Sequence, residues 1–595
     1  MAYQVNPHVQ RLARHLPFAT NSGELYEESI DPGEGRPAIP TMALGYVRRL
    51  VDSSDTSLIV LTGDAGHGKT HLCRRVVQES YGYDGAAALA LIKADAEGSV
   101  RINPNAGRSP LRPLRILRDL SEIEPASRGA DRMAELLADR GSVAIVCANE
   151  GRLRDAISQG GHPELEIVLE TLERSISEGT TSIRPDVHVI NLNWQSVTAP
   201  TNSFVAHLLR DWVADRRRWA ACKTCDAASR CPIAANQAAL GGADPRDVLP
   251  RRRRDALEQI LRTLEQSGYV LTIRETLMFI AYVTTGMMDC VAVAREDGRS
   301  GLRHWGHRDF VWALYERQLS AIEKRQLPVL ERIRRLDPGI YALPSIDEAL
   351  VRVLDREDVQ QETSRSETPP RTVRDARNFA ERYRVRVRRR RRLDFFDGAA
   401  SERYTSDPVR DAGERALRIG LRHYAEFVAV FADRTDTKDI RNRLLDGLHV
   451  LQGLRPAPGL HFNIADPAFA RAEGRAPIIA RRFQRSAVRL VPLEACWSDS
   501  ELPKAVDWTP RRVAIQFGDE ATRLELDLLQ FELVARAAGG VVARRFYAAE
   551  SRRILARLAA IAGTARSDTT GIQVMDGDRL RLIEIDNDVF VVGDP

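Results

Sequence analysis

Lysine is nearly missing from this chain. Of 87 basic side chains in 595 residues, all are arginine except Lys69, Lys93, Lys223, Lys324, Lys438 and Lys504. In so arginine-rich a chain, a run of arginines says less about nucleic acid than it would in a balanced one. Excess charge is also small, at a formal +5, so bulk electrostatics do not point to a polyanionic partner. Cysteine is scarce, with seven in the chain, three of them crowded between 222 and 231. That usage excludes a disulfide framework and predicts a reducing compartment in which clustered thiols bind metal. No uninterrupted apolar run approaches the roughly 20 residues that span a bilayer, and the N-terminal MAYQVNPHVQRLARH lacks a secretory h-region. A cytoplasmic protein with no membrane association is expected. No internal repeat is visible either.

What is present is the balance of an ordinary globular protein, 43% hydrophobic and 28% charged, in a chain too long for one core. Residues 1–40 read as an irregular arm, and 41–200 alternate apolar runs with helical stretches. Residues 201–330 read as a helical lid carrying the cysteine cluster. A further helical domain follows at 331–454, interrupted by the polar linker DREDVQQETSRSETPPRTVRD, and 455–595 read as an α+β domain. The expected class is α/β: a parallel P-loop NTPase sheet, a helical lid, a second helical domain and a C-terminal α+β domain. Strands are predicted at SLIVLT (57–62), AALALIK (87–93), LRIL (114–117), VAIVCA (143–148) and VHVINL (187–192).

The most specific signal is GDAGHGKT, Gly63-Asp64-Ala65-Gly66-His67-Gly68-Lys69-Thr70, followed by His71. Phosphate binding needs a strand that stops abruptly, amides that converge on anionic oxygens, a flexible cation and a hydroxyl for the metal. SLIVLT supplies the strand, and Gly63, Gly66 and Gly68 supply the tight turn. HLCRRVVQES continues as a helix whose N-terminus faces the phosphates. Lys69 is expected on the β- and γ-phosphates and Thr70 on magnesium, with ATP as the nucleotide.

Hydrolysis needs an acidic residue at the end of a neighbouring strand. In one register LRILRDLSE places Asp119 there as the second magnesium ligand, with Glu122 close behind. VAIVCANE is then the next strand, ending in the polar sensor Asn149. In the other register VAIVCANE is itself the acidic strand, Glu150 orients water, and Asn191 or Asn193 is the sensor. The first is preferred because it inserts one strand between the P-loop strand and the acidic strand. Neither register has adjacent Asp and Glu, which fits slow or conditional turnover. The alternative for Asp119 and Glu122 is simple helix capping. Arg274 in LTIRET is the lid residue that could fold over the γ-phosphate, and Arg152 and Arg154 are further candidates.

Cys222 and Cys225 have the C-x-x-C spacing of two thiolates on one tetrahedral zinc, and Cys231 follows closely. Cys290 is the preferred fourth ligand; His207, His304 and His307 are alternatives. Such a centre is structural, stapling a region with little core of its own. Cys73 and Cys147 lie in apolar segments and read as packed residues. Arg251 to Arg254 and RVRVRRRRR at 384–392 could follow a phosphodiester backbone, the latter as alternate arginines on a strand face. A solvated face is the simpler reading of both. The pair His304 and His307 lacks a carboxylate motif and reads as structural.

Taken together, GDAGHGKT, RDLSE, VCANEGRLRD, VINLNWQS, the cysteine cluster and LTIRETL resemble the ATPase subunits of bacterial phosphorothioation-dependent DNA restriction systems. Those are P-loop proteins of AAA-like or STAND-like organisation. The resemblance covers about residues 40 to 330 and extends more vaguely over the remainder. It implies an ATP-driven motor or switch in a multi-protein antiphage complex. Other subunits would be its partners, DNA and a further copy of the chain being possible ones. No nuclease motif is visible, so cleavage would fall to a partner. A nucleotide-sensing scaffold that hardly hydrolyses ATP is the alternative.

Overall fold

A computed structural model describes residues 3–16, 41–93, 99–105, 111–242, 247–300, 309–344, 347–348, 373–398, 408–432, 436–455, 460–467, 477–497, 500–518, 522–541, 548–563, 571–576, 579–586 and 589–593. It divides the chain into two units, one of residues 1–265, 270–404 and 499–509 and the other of 266–269, 405–498 and 510–595. The units do not follow the linear segments expected from the sequence. Residues 405–454 belong with the C-terminal unit, and a short piece near residue 505 returns to the first.

The first unit is built on five strands: β1 (Leu58–Thr62), β2 (Val100–Ile102), β3 (Leu114–Leu117), β4 (Val143–Ala148) and β5 (Val187–Asn191). Their order is β2-β3-β4-β1-β5. β1 runs parallel to β4 and β5, β3 runs parallel to β4, and only β2 is antiparallel to its neighbour. Every residue of β1, β4 and β5 is buried, as expected of parallel strands covered on both faces. On one face Leu58, Val60, Val146 and Val189 pack against Met133, Leu153 and Leu172. These last three come from the helices Ala126–Ala138, Glu150–Gly160 and Glu166–Ser177.

Four of the five expected strands stand where the sequence placed them. The fifth is corrected: AALALIK lies in the helix Gly85–Lys93, and the strand falls later, at Val100–Ile102. A short apolar run does not distinguish strand from helix, and alanine and leucine decide it because they are the strongest helix formers.

Beyond the sheet the first unit is helical. Among the described residues one stretch, Ile273–Asp297, is long and apolar enough to pass as a membrane span, although the sequence suggested none. Half of its most apolar window is buried inside the protein. Its first helix ends at Thr285, where Gly286 (φ 60°) and Met287 (φ 71°) turn left-handed, and a second helix begins at Cys290.

RVRVRRRRR is also corrected, since it lies within the helix Val373–Asp397 and not on a strand. Arg391 grips Asp347 through two bonds of 2.7 Å. Arg392 grips buried Asp337 at 2.8 and 2.7 Å and also reaches Glu316. Arg389 pairs with Asp309 at 2.8 Å. The second arginine run, in the helix Val248–Gln266, closes on the end of the same long helix. Arg252 donates to the Asp397 carbonyl at 2.9 Å, and Arg253 holds the Asp397 carboxylate at 2.6 and 3.1 Å. Arg254 donates to the Leu240 carbonyl. Both runs are thus largely engaged as internal braces. His304, His307 and residues 355–372 of the polar linker lie outside the described residues.

The second unit carries β6 (His461–Ala465) paired with β7 (Ile479–Gln484), and an antiparallel sheet of β8 (Val488–Pro492), β9 (Arg512–Phe517) and β10 (Arg523–Asp527). A meander follows: β11 (Ile572–Asp576), β12 (Arg579–Asp586) and β13 (Val589–Gly593). The helix Lys438–Leu451 crosses Leu528–Ala538 in backbone contact. A Cβ at Gly447 would stand 1.9 Å from the Val534 carbonyl oxygen, so only glycine fits there. His449 stacks on Phe462 at 4.9 Å and accepts from the Asn463 N–H at 2.9 Å.

The returning segment is held in the first unit by two acids, buried Asp507 and exposed Glu501. Asp507 accepts from Gln195 at 2.9 Å, Asn202 at 3.0 Å and the Met42 N–H at 3.2 Å. Glu501 accepts from Tyr46 at 2.8 Å, and Trp508 lies against Trp194 with ring centres 5.2 Å apart.

Candidate nucleotide site

The sequence dictates a break after β1. Gly63, Gly66 and Gly68 have φ of 137°, 103° and 77°, a region open to glycine and costly for other residues. Gly68 is the left-handed N-cap of the helix Lys69–Glu79, and no described side chain caps that helix. Its first turn therefore presents amide donors and the positive end of the helix dipole at the carboxyl edge of the sheet.

Lys69 is folded back onto the loop. Its Nζ donates to the Gly63 carbonyl at 2.6 Å and the Asp64 carbonyl at 3.1 Å. Burial holds its amine below the ordinary lysine range; Cys147, Asp119 and Asp64 oppose that shift, and Arg274 adds to it. Asp119, Asp64 and Arg274 thus all act on the one amine. Thr70 is the second residue of the helix, followed by His71, whose Nδ1 lies 3.2 Å from Arg74. His67 is buried within the loop, and Ala65 is exposed.

Two loops close on the glycines. Asn193 accepts from the Asp64 N–H at 2.9 Å, directly after β5. The lid helix Ile273–Thr285 starts against Gly66, whose carbonyl accepts from the Arg274 N–H at 3.0 Å. A Cβ on Gly66 would stand 3.0 Å from Arg274 Cβ and 3.1 Å from Thr272 Oγ1. Thr272 caps the lid helix. The helix is thus seated on the loop by its first turn, and Arg274 lies in that turn.

The acidic candidates differ in what they do. Asp119 follows β3 and accepts from the Ser121 N–H at 2.9 Å and hydroxyl at 2.7 Å, capping a short 3-10 turn. Glu122 is taken by Arg118 at 2.7 and 3.0 Å. Asn149 caps the helix after β4 by accepting from the Arg152 N–H at 2.9 Å. Glu150 pairs with Arg154 at 3.3 Å. Arg152 donates to Glu124 at 2.8 Å and Arg154 to Glu173 at 3.0 Å, so these two arginines are engaged away from the loop. β4 lies between β1 and β3, which separates the Asp119 turn from the loop by one strand.

Sequence reading missed Thr272, whose contact with Gly66 depends on packing across about 200 residues. A Thr-x-x-Glu capping signature, Thr272 to Glu275, marks the start of that helix. Cys73 and Cys147 are buried with their sulfurs 3.5 Å apart, packed as expected.

The other cysteines sit at the ends of short elements. Cys222 lies in a 3-10 turn that ends at Cys225, Cys231 caps the helix Pro232–Gly241, and Cys290 opens Cys290–Ser300. Burial pushes Cys231 up to about 11, with smaller contributions from Cys222 and Cys290. Burial raises Cys222 and Cys290 too, and Cys225 adds to both. His207 is directed instead to Asn202 at 3.1 Å. Among the described residues no group of three or more His, Cys, Asp or Glu side chains stands close enough to hold a metal. The chain matches no protein-family model, no curated protein and no solved structure.

Proposed function

We propose that residues 63–70 bind ATP with magnesium and that the chain is a P-loop ATPase serving as the motor or switch subunit of a cytoplasmic bacterial antiphage restriction complex. The observation that carries the nucleotide reading is the glycine-built loop between a central buried strand and an uncapped helix N-terminus, with Lys69 inside it. The association with defence rests on the motif resemblance alone.

In this reading the loop amides and helix N-terminus receive the phosphates, and Lys69 leaves the Gly63 and Asp64 carbonyls to neutralise them. Thr70 and Asp119 would hold magnesium, which would supply charge neutralisation to the phosphates. Arg274 reaches the same space from the lid. A strand between β1 and β3 supports Asp119 over Glu150 as the acidic residue. DNA enters as a partner only through the resemblance, because the two arginine runs are mostly occupied within the protein.

The second reading, a nucleotide-sensing scaffold with little turnover, is favoured by the ion pairing of both candidate glutamates, Glu122 with Arg118 and Glu150 with Arg154. ATP turnover by purified protein with and without DNA, beside Lys69→Ala and Asp119→Ala, tests both. DNA-stimulated turnover lost in both variants is expected. Unchanged turnover in Lys69→Ala overturns the ATPase assignment, and binding without turnover favours the scaffold.

A further inference from the structure

Two thiols meet next to the glycine loop. Cys147 lies on β4 and is paired with Leu61, two residues ahead of Gly63. Strand alternation turns it to the face opposite Val146 and Ala148. There it meets Cys73 of the helix Lys69–Glu79, sulfur to sulfur at 3.5 Å. Each residue is 1% exposed, and the two are thiols with no disulfide between them.

The pair is tied to the loop through Lys69. Cys73 follows Lys69 by four residues, so the two share one helix face, one turn apart. Burial lowers the Lys69 amine, and the Cys147 sulfur is the foremost group opposing that shift. When Cys147 ionises, its charge therefore has the Lys69 ammonium within electrostatic reach. The Cys73 S–H can donate to it as well, and cationic neighbours and a second thiol are what make a sulfur reactive.

We propose that Cys73 and Cys147 form a reversible disulfide with hydrogen peroxide, and that this bond clamps the helix Lys69–Glu79 to β4 and weakens nucleotide binding. The bond needs only the two sulfurs, whereas its effect on nucleotide rests on the reading of residues 63–70 as an ATP site. The Cys147 thiolate attacks the peroxide O–O bond and becomes a sulfenic acid, and the departing hydroxide takes up the thiol's proton as water. Cys73 then attacks the sulfenic sulfur, and its own proton leaves with the hydroxyl as a second water. The thiols lose two electrons and the peroxide gains them. Burial of both sulfurs favours a small oxidant of this kind. In a reducing compartment such a bond is transient, as in redox sensing. The sulfurs close from 3.5 Å to about 2.05 Å, and the movement falls on the turn next to Lys69 and Thr70. Misplacing reacting groups by about 1 Å costs up to about 100-fold, so a fall in ATP affinity of about tenfold is expected.

Full-length protein treated with hydrogen peroxide, then alkylated under denaturing conditions, is expected to yield a Cys73–Cys147 cross-linked peptide by mass spectrometry. Dithiothreitol is expected to release it. Absence of the cross-link, sulfinic acid on either residue without it, or pairing with another cysteine overturns the disulfide. Cys73→Ala is expected to leave a sulfenic acid at Cys147 that dimedone traps, while Cys147→Ala leaves Cys73 unoxidised; the reverse overturns Cys147 as the attacking thiol. Should either variant fail to fold, the peptide map of the native chain decides on the disulfide alone. ATP titration of the native chain is expected to show the weaker binding after oxidation and recovery with dithiothreitol. Equal affinities overturn the clamp. Reduced protein that binds no ATP overturns the nucleotide reading and the clamp with it, while the cross-link is judged on its own mass.

Discussion

The glycine loop at 63–70 and the cysteine cluster are both short motifs in sequence, yet they are built in opposite ways. The loop is complete within eight residues, and its geometry follows from glycine positions and a helix start that any such sequence imposes locally. The cluster gathers residues from 222 to 290 and a donor from position 6, Asn6, whose Nδ2 lies 3.2 Å from Cys222 Sγ, so its geometry depends on the packing of several helices. A local motif comes with its geometry, whereas a dispersed one comes only with its chemistry. The two should also fail differently, one by losing binding and the other by losing order.

The sharpest way to separate them is Lys69→Ala, which should lower ATP turnover by about two to three orders of magnitude, the scale of losing one charge-stabilising group. Thermal stability should be unchanged, and a fall would show that Lys69 also braces the fold. Next in size is Arg392→Met. It leaves Asp337 buried without its guanidinium and should cost about 3 kcal/mol in a denaturant titration, typical of half a buried pair removed. Gly66→Ala should weaken nucleotide binding by about tenfold, since a left-handed non-glycine residue costs about 1–2 kcal/mol and the added Cβ presses on Thr272 and Arg274. Isothermal titration would measure it.

A pH titration probes the cluster side, where His8 Nε2 lies 2.7 Å from the Trp212 carbonyl. Burial lowers His8 to about 4 from an ordinary 6.5, so the folded arm keeps the neutral ring. That contribution is complete above pH 6.5 and is lost as pH falls toward 4. Proteolysis of the arm should rise across that window in the native chain, and a flat profile would count against the docking of His8. A last pair of variants separates the two registers. Asp119→Asn should reduce turnover about tenfold or more, while Glu150→Gln should change it by less than about twofold, as expected of an exposed helix ion pair. The reverse ranking would move the acidic residue to β4.

Much of the first sheet was legible because buried parallel strands are rich in β-branched residues and end in turn or capping residues. LIVLT, LRIL, VAIVCA and VHVIN all satisfy this. AALALIK failed because it has the apolarity of a strand with the propensity of a helix. RVRVRRRRR failed for a related reason. Its alternation suggested a strand, but arginine favours helix, and acids at 309, 316, 337 and 347 bind the arginines across distances that no local pattern shows. At the candidate site the glycine loop was readable as a break after β1, whereas the hydrogen bond from the Asp64 N–H to Asn193, the seating of Thr272 on Gly66 and the reach of Asn6 were not. All three are contacts between segments distant in sequence.

The segment around Asp507 has a consequence for synthesis. The chain passes through the second unit and comes back before the first has all its parts, since Gln195, Asn202 and Met42 find their acid only there. A ribosome that has released residues 1–404 has not yet delivered a finished first unit, and no single cleavage point would separate the two units intact. Nascent chains halted before residue 500 should therefore leave that acid's partners exposed, whereas those halted well after 509 should bury them.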